Sequence, residues 1–321
     1  MILITGATGF LGAELARQLV EAGHQVRCTK RENSTIPKIL LSYKSEIEWV
    51  NADVLDLSDL EDAFSGVTQV YHCAAKVSFD QKDEKQMNTT NVEGTANIVN
   101  LCLDFGARLV HVSSVAAIGN PKANEPVTER NFWDAYDKNG RYAISKYQSE
   151  MEVWRGIEEG LSAVIVNPSV IIGEHVGENG SGQLFELVAK GLKYYTKGNI
   201  GLVDVQDVAT IMVKLMESNI ENERFILNAE NYSYERLFKE IAKSYSVNTD
   251  LKPIARWKLN LAVRLSLIAK LFVGNIKGLT QDVVAAAFNQ TLYSSDKVKE
   301  TLQVQFLPLA ESIERTAKGI S

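Results

Sequence analysis

"MILITGATGFLG", residues 1–12, decides the fold. "MILIT" is a short apolar run of the kind that makes a strand covered on both faces. Three glycines follow at once, Gly6, Gly9 and Gly12, in the spacing GxxGxxG. "LGAELARQLVEAG" comes next, with apolar residues at helical spacing and a terminal Gly23. In a strand–loop–helix turn the first glycine permits the tight bend. The second lets backbone approach a pyrophosphate, and the third allows helix to pack closely on strand. The helix N-terminus behind them favours negative charge. The stretch therefore predicts a dinucleotide-binding turn, with Gly6, Thr8, Gly9, Phe10, Leu11 and Gly12 as cofactor contacts. The plainer alternative is a tight turn with no ligand.

Outward from this turn, strand-like and helical runs alternate. "HQVRCT", "EIEWVNAD", "QVYHCAA", "RLVHVSS" and "SAVIVNPSVIIG" read as further strands. "LSDLEDAFSG", "NVEGTANIVNLCLDFG" and "YAISKYQSEMEVWRGIEEG" read as the helices between them. This alternation predicts right-handed crossovers and an α/β, Rossmann-type doubly wound parallel sheet with helices on both faces. Such sheets bind ligands at the carboxyl ends of their strands. Beyond residue 170 the pattern loosens. "IGLVDVQDVATIMVKLMES" reads as a short strand and a helix that rejoins the sheet. Residues 233–290 read as mostly helical, and 291–321 as a short capped helix and a tail. The expected division is a dinucleotide-binding part over 1–170 plus a return at about 200–228. A smaller, mostly helical substrate lobe takes about 171–199 and 229–321.

Composition narrows the function. The net charge is −6, which argues against a general nucleic-acid surface. Cys28, Cys73 and Cys102 form no ligand or disulfide spacing, and a reducing cytoplasm is expected. His24, His72, His111 and His175 form no ligand spacing either, so no metal is expected. The longest apolar stretch, "LNLAVRLSLIAKLFVG" at 259–274, is broken by Arg264 and Lys270 and is short for a bilayer. It reads as an amphipathic helix over a core or pocket, with a membrane-surface helix as the alternative. No membrane span and no cleavable leader are expected.

The strand ends supply the chemistry. "VRCTKREN" puts Lys30 and Arg31 at the tip of the second strand. Two cations there favour the 2′-phosphate of NADP(H). Glu32 turned toward a ribose hydroxyl would favour NAD(H) instead. "NADVLD" places Asp53 and Val54 after the third strand, where a carboxylate can accept from an adenine amino group or simply cap a loop. Ala74, Ala75 and Lys76 follow the fourth strand, and the small pair lets a cofactor cross the sheet edge or packs the core.

"LVHVSS" ends the fifth strand on Ser113 and Ser114, and Tyr142 and Lys146 lie one turn apart at the start of the next helix. Hydride transfer to a carbonyl leaves negative charge on oxygen and needs a proton there. Free tyrosine has a pKa near ~10, too high to cycle easily at neutral pH. A nearby ammonium is expected to lower it by roughly 1–3 units. Ser114 is then expected to hold the substrate oxygen near the phenol. General acid catalysis of this kind is worth about 10²–10⁴ in rate. A surface Tyr–Lys pair is the default for this motif alone; the glycine loop and the Ser-Ser strand end reverse that.

With these residues assembled, the chain resembles the extended short-chain dehydrogenase/reductases, the NAD-dependent epimerase/dehydratase superfamily. The matching stretches are "TGATGFLG" at 5–12, "NVEGT" at 91–95, "VSS" at 112–114, "YAISK" at 142–146, "NPSVIIG" at 167–173 and "VDVQDVA" at 203–209. The tail "LYSSDKVKETL" matches as well. The resemblance implies Ser114, Tyr142 and Lys146 as the catalytic triad, with Lys146 also bonding the nicotinamide ribose. It implies Pro168 and Val170 beside the nicotinamide and Asn91 as a structural residue under the site. It also implies a homodimer through helices at about 86–105 and 142–159.

Within that superfamily, Val170, Lys30 and "KGNIGLVDV" depart from the nucleotide-sugar branch. "VRCTKRE" and "NPSVIIG" look closer to the dihydroflavonol-reductase and 3β-hydroxysteroid-dehydrogenase branches, which act on apolar ketones or alcohols. Trp257, Phe272 and Phe288 are candidates to line an apolar pocket, or ordinary lobe core. Gly119 departs from the plant flavonoid reductases, which carry a larger polar residue near that point. The expected activity is NADP(H)-linked hydride transfer with a small-to-medium apolar carbonyl or alcohol. The alternatives are an NAD-dependent nucleotide-sugar epimerase or dehydratase, and a non-catalytic NAD(P)-sensing protein.

Overall fold

The computed structural model describes residues 1–121, 125–133, 140–177, 180–247, 249–263 and 280–320. β1 (Ile2–Thr5), α1 (Phe10–Glu21), β2 (Val26–Lys30), β3 (Ile47–Asn51), α2 (Leu57–Ala63) and β4 (Gln69–His72) open the chain. A helical stretch follows, made of α3 (Glu84–Asn88), a π-helical turn (Thr89–Glu93) and α4 (Gly94–Phe105). β5 (Arg108–Val112), α5 (Arg141–Glu158) and β6 (Ala163–Pro168) complete the first half. The second half carries β7 (Val170–Ile172), α6 (Gly182–Ala189), β8 (Tyr194–Tyr195), β9 (Asn199–Asp204), α7 (Val205–Glu217) and β10 (Glu223–Leu227). β11 (Glu230–Ser233), α8 (Tyr234–Ser244) and β12 (Lys252–Pro253) come next.

Seven strands form one parallel sheet in the order β10-β6-β5-β4-β1-β2-β3. Alternation along each strand feeds two cores, because successive side chains point to opposite faces. Ile2, Ile4, Val110, Val164 and Val166 pack under α1 and α7, against Leu15, Leu19, Val208 and Met212. Leu3, Val70, Leu109 and Ile165 pack on the other face with Leu60, Ile98, Val99, Cys102 and Val153. This double cover is why "MILIT" is apolar at every position except its polar end. The strand order reverses between β1 and β4, so the ligand crevice of such a sheet opens there. Every residue that follows a strand of this sheet lies along one edge.

Some expectations need correction. "IGLVDV" does not return to the main sheet: β9 pairs parallel with β7 and antiparallel with β11 in a separate three-stranded sheet. The returning strand is β10, beside β6. "NPSVIIG" is two strands, not one. Ser169 turns to the end of β10, its N–H bonding the Leu227 carbonyl at 3.0 Å, and the next residues leave for the small sheet. The expected tail is a helix, Leu309–Ile320, whose Leu309, Ile313 and Ala317 share a third core with Phe185, Leu202, Tyr232 and Leu237. Of the stretch at 259–274, residues 264–274 lie outside the described residues, as does Phe272; 256–263 are helical. Among the described residues no helix is long and apolar enough to cross a membrane.

Candidate functional site

Gly6 follows β1 with φ +73°, and a Cβ there would meet the Ala74 backbone nitrogen at 2.6 Å. The loop after β1 and the end of β4 therefore touch at the point where the strand order reverses. A Cβ on Gly12 would fall 2.3 Å from the Gly6 carbonyl oxygen, so the start of α1 can sit this close only without a side chain. Gly9 caps α1 with no side-chain hydrogen bond, which leaves the first-turn amides facing out of the loop. That uncapped N-terminus over a glycine cradle fits a pyrophosphate. Thr8 and Phe10 are half-buried beside it, and the Leu11 side chain belongs to the core.

At the end of β2, Lys30 donates to Asn51 Oδ1 at 2.6 Å, while Arg31 and Glu32 are exposed. Asp53 Oδ1 accepts from the Leu55 amide at 3.0 Å, and Val54 packs against the Gly94 backbone. Ala74 is half-buried and Ala75 exposed. The Lys76 ammonium pairs with Asp83 at 2.9 Å and bonds Gln86, so its charge is engaged within the loop that follows β4. Its backbone is clamped by Asn91: the Lys76 amide donates to Oδ1 at 2.7 Å and Nδ2 donates to the Lys76 carbonyl at 3.0 Å. Asn91 Nδ2 also reaches Ser145 Oγ at 3.0 Å, tying the π-helical turn to α5. Pro168 is buried and Val170 half-buried, one on each side of the change of sheet.

Ser114, Tyr142 and Lys146 come together at the end of β5. Ser114 is in extended backbone, its Oγ accepts from the Ala116 amide at 3.2 Å, and its hydroxyl lies near enough to the Tyr142 phenol to act on its acidity. Phe79 lies edge-on to the Tyr142 ring, with centroids 5.9 Å apart. Lys146 is 2% exposed and donates to the Val112 carbonyl at 2.8 Å. The expected tuning is not made in this arrangement. Burial holds the Tyr142 phenol above its usual range, and the opposing influence comes from the Ser114 hydrogen bond. The ammonium is spent on a backbone carbonyl. Lys146 is itself pushed down to about 8 by burial, with the negative charge of Glu150 and the Cys73 thiol opposing. Burial and the Lys146 charge push His72 down to about 3, so its ring is neutral.

The sequence reading missed a polar cluster behind this trio. Glu150, fully buried, accepts from Ser113 Oγ at 2.6 Å, Asn167 Nδ2 at 2.8 Å and Arg224 Nη1 at 2.9 Å. Asn167 Nδ2 also donates to the Ser114 carbonyl at 3.0 Å. The spacing Tyr142–Lys146–Glu150 puts all three on one face of α5, and that was the available signal. Gly119 has a packing explanation: a Cβ would fall 1.9 Å from the Phe132 carbonyl oxygen. Trp257 is 64% exposed and Phe288 half-buried, so neither is fixed in a core.

Comparison with known proteins agrees with this geometry. The model of the NAD dependent epimerase/dehydratase family matches residues 2–228. A putative dihydroflavonol 4-reductase of Synechocystis sp. is 30% identical over 309 residues, 93% of this chain and 88% of the relative. Sterol demethylase protein B of Methylococcus capsulatus is 30% identical over 71% of this chain and 70% of its own length. The crystal structure of gox2253 superposes with a TM-score of 0.85 at 29% identity, covering 99% of this chain and 97% of that one. The Thermus thermophilus UDP-glucose 4-epimerase complex with NAD shares the fold, with a TM-score of 0.76 at 19% identity over 99% and 98% of the two chains. With the glycine cradle at the strand-order reversal and the Ser–Tyr–Lys group beside it, the chain belongs to the NAD dependent epimerase/dehydratase family, a family of NAD(P)-dependent enzymes.

Proposed function

We propose that this protein is an NADP(H)-dependent oxidoreductase acting on a carbonyl or secondary alcohol of a small-to-medium apolar substrate. The observation that carries the reading is the meeting of Ser114 and Tyr142 at the end of β5, where the serine hydroxyl acts on the phenol, with Lys146 buried one turn along α5. A bound nicotinamide supplies or takes the hydride. Ser114 orients the substrate oxygen, Tyr142 gives it a proton or takes one, and Lys146 holds positive charge beneath them. Burial keeps the phenol protonated, the form a reductase needs at the start of a cycle. Gly6, Gly9 and Gly12 would cradle the pyrophosphate. Lys30 and Arg31 would meet a 2′-phosphate, and Asp53 the adenine side. Relatives named as reductases support the redox reading over the sugar-nucleotide one.

We propose that 1–170 and the return at about 200–228, of which β10 rejoins the main sheet and β9 does not, hold the cofactor, and that about 171–199 and 229–321 take the substrate. We propose a homodimer through helices at about 86–105 and 142–159, in the cytoplasm. Ile144 and Met151, seven residues apart on α5 and each 36% exposed, give that face apolar contacts. Light scattering should report a dimer that Ile144→Asp/Met151→Asp dissociates; a monomeric wild type would end the dimer proposal.

Titration with NADPH and NADH by nicotinamide fluorescence tests the cofactor. We expect tight NADPH binding that weakens at least ~10-fold in Lys30→Ala/Arg31→Ala, as two lost charge-assisted contacts require. NADH preference, or NAD carried through purification, would refute the NADP assignment and favour a nucleotide-sugar substrate.

A further inference from the structure

A series of hydrogen bonds runs from the glycine turn to the helix that carries Tyr142, and His72 stands within it. Thr5, the last residue of β1, directly precedes Gly6. Its Oγ1 lies 2.7 Å from His72 Nδ1, and His72 Nε2 lies 3.1 Å from Thr95 Oγ1 on α4. Thr95 Oγ1 donates to the Asn91 carbonyl at 2.6 Å. The Asn91 side chain reaches Ser145 Oγ, which in turn donates to the Tyr142 carbonyl at 2.8 Å. Thr5, His72, Asn91, Thr95 and Ser145 are all buried, so water does not compete for these bonds.

Counting protons fixes the direction of the series. A hydroxyl has one proton to give. Thr95 gives its proton to Asn91, so its oxygen accepts from His72, and Nε2 carries the ring proton. Nδ1 is then the acceptor and Thr5 the donor. The Thr5 oxygen is left to accept from the Ala74 amide, 3.4 Å away. This order requires a neutral ring, and burial together with the Lys146 charge keeps it neutral. The neighbouring imidazole is a contrast. His111 is equally buried, its ring centroid 5.3 Å from that of His72, yet neither of its nitrogens has a hydrogen-bond partner among the described residues.

We propose that His72 is a positioning residue: bonded to Thr5 on one side and Thr95 on the other, it fixes the spacing between the turn that would hold the dinucleotide and the helix that carries Tyr142. The inference rests on the oxidoreductase reading, which gives the two ends their roles. Both ends are stiff. Gly6 touches the end of β4 and Gly12 packs on Gly6, so a pin at Thr5 sets the whole turn. At the other end Asn91 clamps the Lys76 backbone and Ser145 together. A flat ring with an acceptor on one side and a donor on the other holds a fixed gap between these ends, which a flexible amide would not. The gap matters for hydride transfer, where a misplacement of about 1 Å can cost on the order of 10² in rate.

The first test is the tautomer of His72, read by NMR in the purified full-length protein labelled with ¹⁵N at histidine. Its signals are assigned by loss in His72→Gln, or by removing the other three histidines in turn. We expect one Nε2–H form that does not titrate between about pH 6 and 8. An Nδ1–H form, or a ring that titrates in that range, breaks the order of donors and overturns the proposal. The second test follows the Tyr142 ring in protein labelled with ¹³C at the tyrosine ζ-carbon, its signal assigned by loss in Tyr142→Phe. Thr5→Val cuts the series on the turn side and Thr95→Val on the helix side. Each should shift the Tyr142 signal, and Thr95→Ser, which keeps the hydroxyl, should restore it. A Tyr142 signal that stays in place while the valine variants lose only thermal stability would make His72 a support of the fold alone and overturn the proposal. Loss of the native fold in both valine variants would do the same. Neither measurement needs cofactor or substrate, so the series can fail while NADPH binding succeeds, and the reverse.

Discussion

Replacing Lys146 by Met should change how stability depends on pH. In the fold Lys146 titrates at about 8, against 10.5 for the free side chain. Between those values the unfolded chain binds more protons than the folded one, so wild-type stability rises with pH through that window. Below about 8 the full cost of burying the ammonium is present. A shift of that size is worth about 3 kcal/mol at neutral pH, falling to about 1 kcal/mol at pH 10. Lys146→Met removes this dependence together with the hydrogen bond to the Val112 carbonyl. The lost bond shifts stability by a constant, whereas the proton linkage varies with pH. The assay is urea unfolding of both proteins at pH 7 and pH 10. Wild type should gain about 2 kcal/mol on the variant between the two, because all other titrating groups are common to both. A difference that stays constant with pH would mean Lys146 is not strained by burial, and the account of its charge would be wrong.

Two further outcomes follow from the same geometry. Tyr142→Phe should keep NADPH affinity and lower kcat by at least ~10² on any carbonyl compound that the wild type reduces; undiminished turnover would remove Tyr142 from the reaction. Asn91→Ala should cost about 1–3 kcal/mol in urea unfolding, because it leaves the Lys76 amide and carbonyl and the Ser145 hydroxyl each short of a partner. A neutral change would show that water replaces the side chain without penalty.

The parts that were legible in the sequence are local. Gly6, Gly9 and Gly12 act within one turn, and the apolar run of β1 is consecutive, so both can be read from neighbouring letters. Ser114, Tyr142 and Lys146 were legible because strand and following helix are adjacent in any such sheet. What failed is non-local. Nothing near residues 199–204 says that they pair with Val170–Ile172 instead of the main sheet; that choice depends on where Ser169 turns. Nothing beside Arg224 in the sequence points to Glu150, its partner 74 positions earlier. The tuning of Tyr142 failed for a different reason. Spacing puts an ammonium on the right face of α5, but whether it faces the phenol or the Val112 carbonyl depends on side-chain rotamers, which spacing does not fix.

The π-helical turn at Thr89–Glu93 has the size of one inserted residue. One residue turns an α-helix by about 100°. The two ends of the 84–105 stretch therefore present different phases to their neighbours, Asn91 toward Lys76 and Ser145, and Ile98 and Cys102 toward the sheet. Deleting a single residue there would heal the helix and misalign one end or the other. At this point the protein is sensitive to the length of the chain, independently of the letters in it. A scan that swaps side chains one at a time would pass over the dependence entirely.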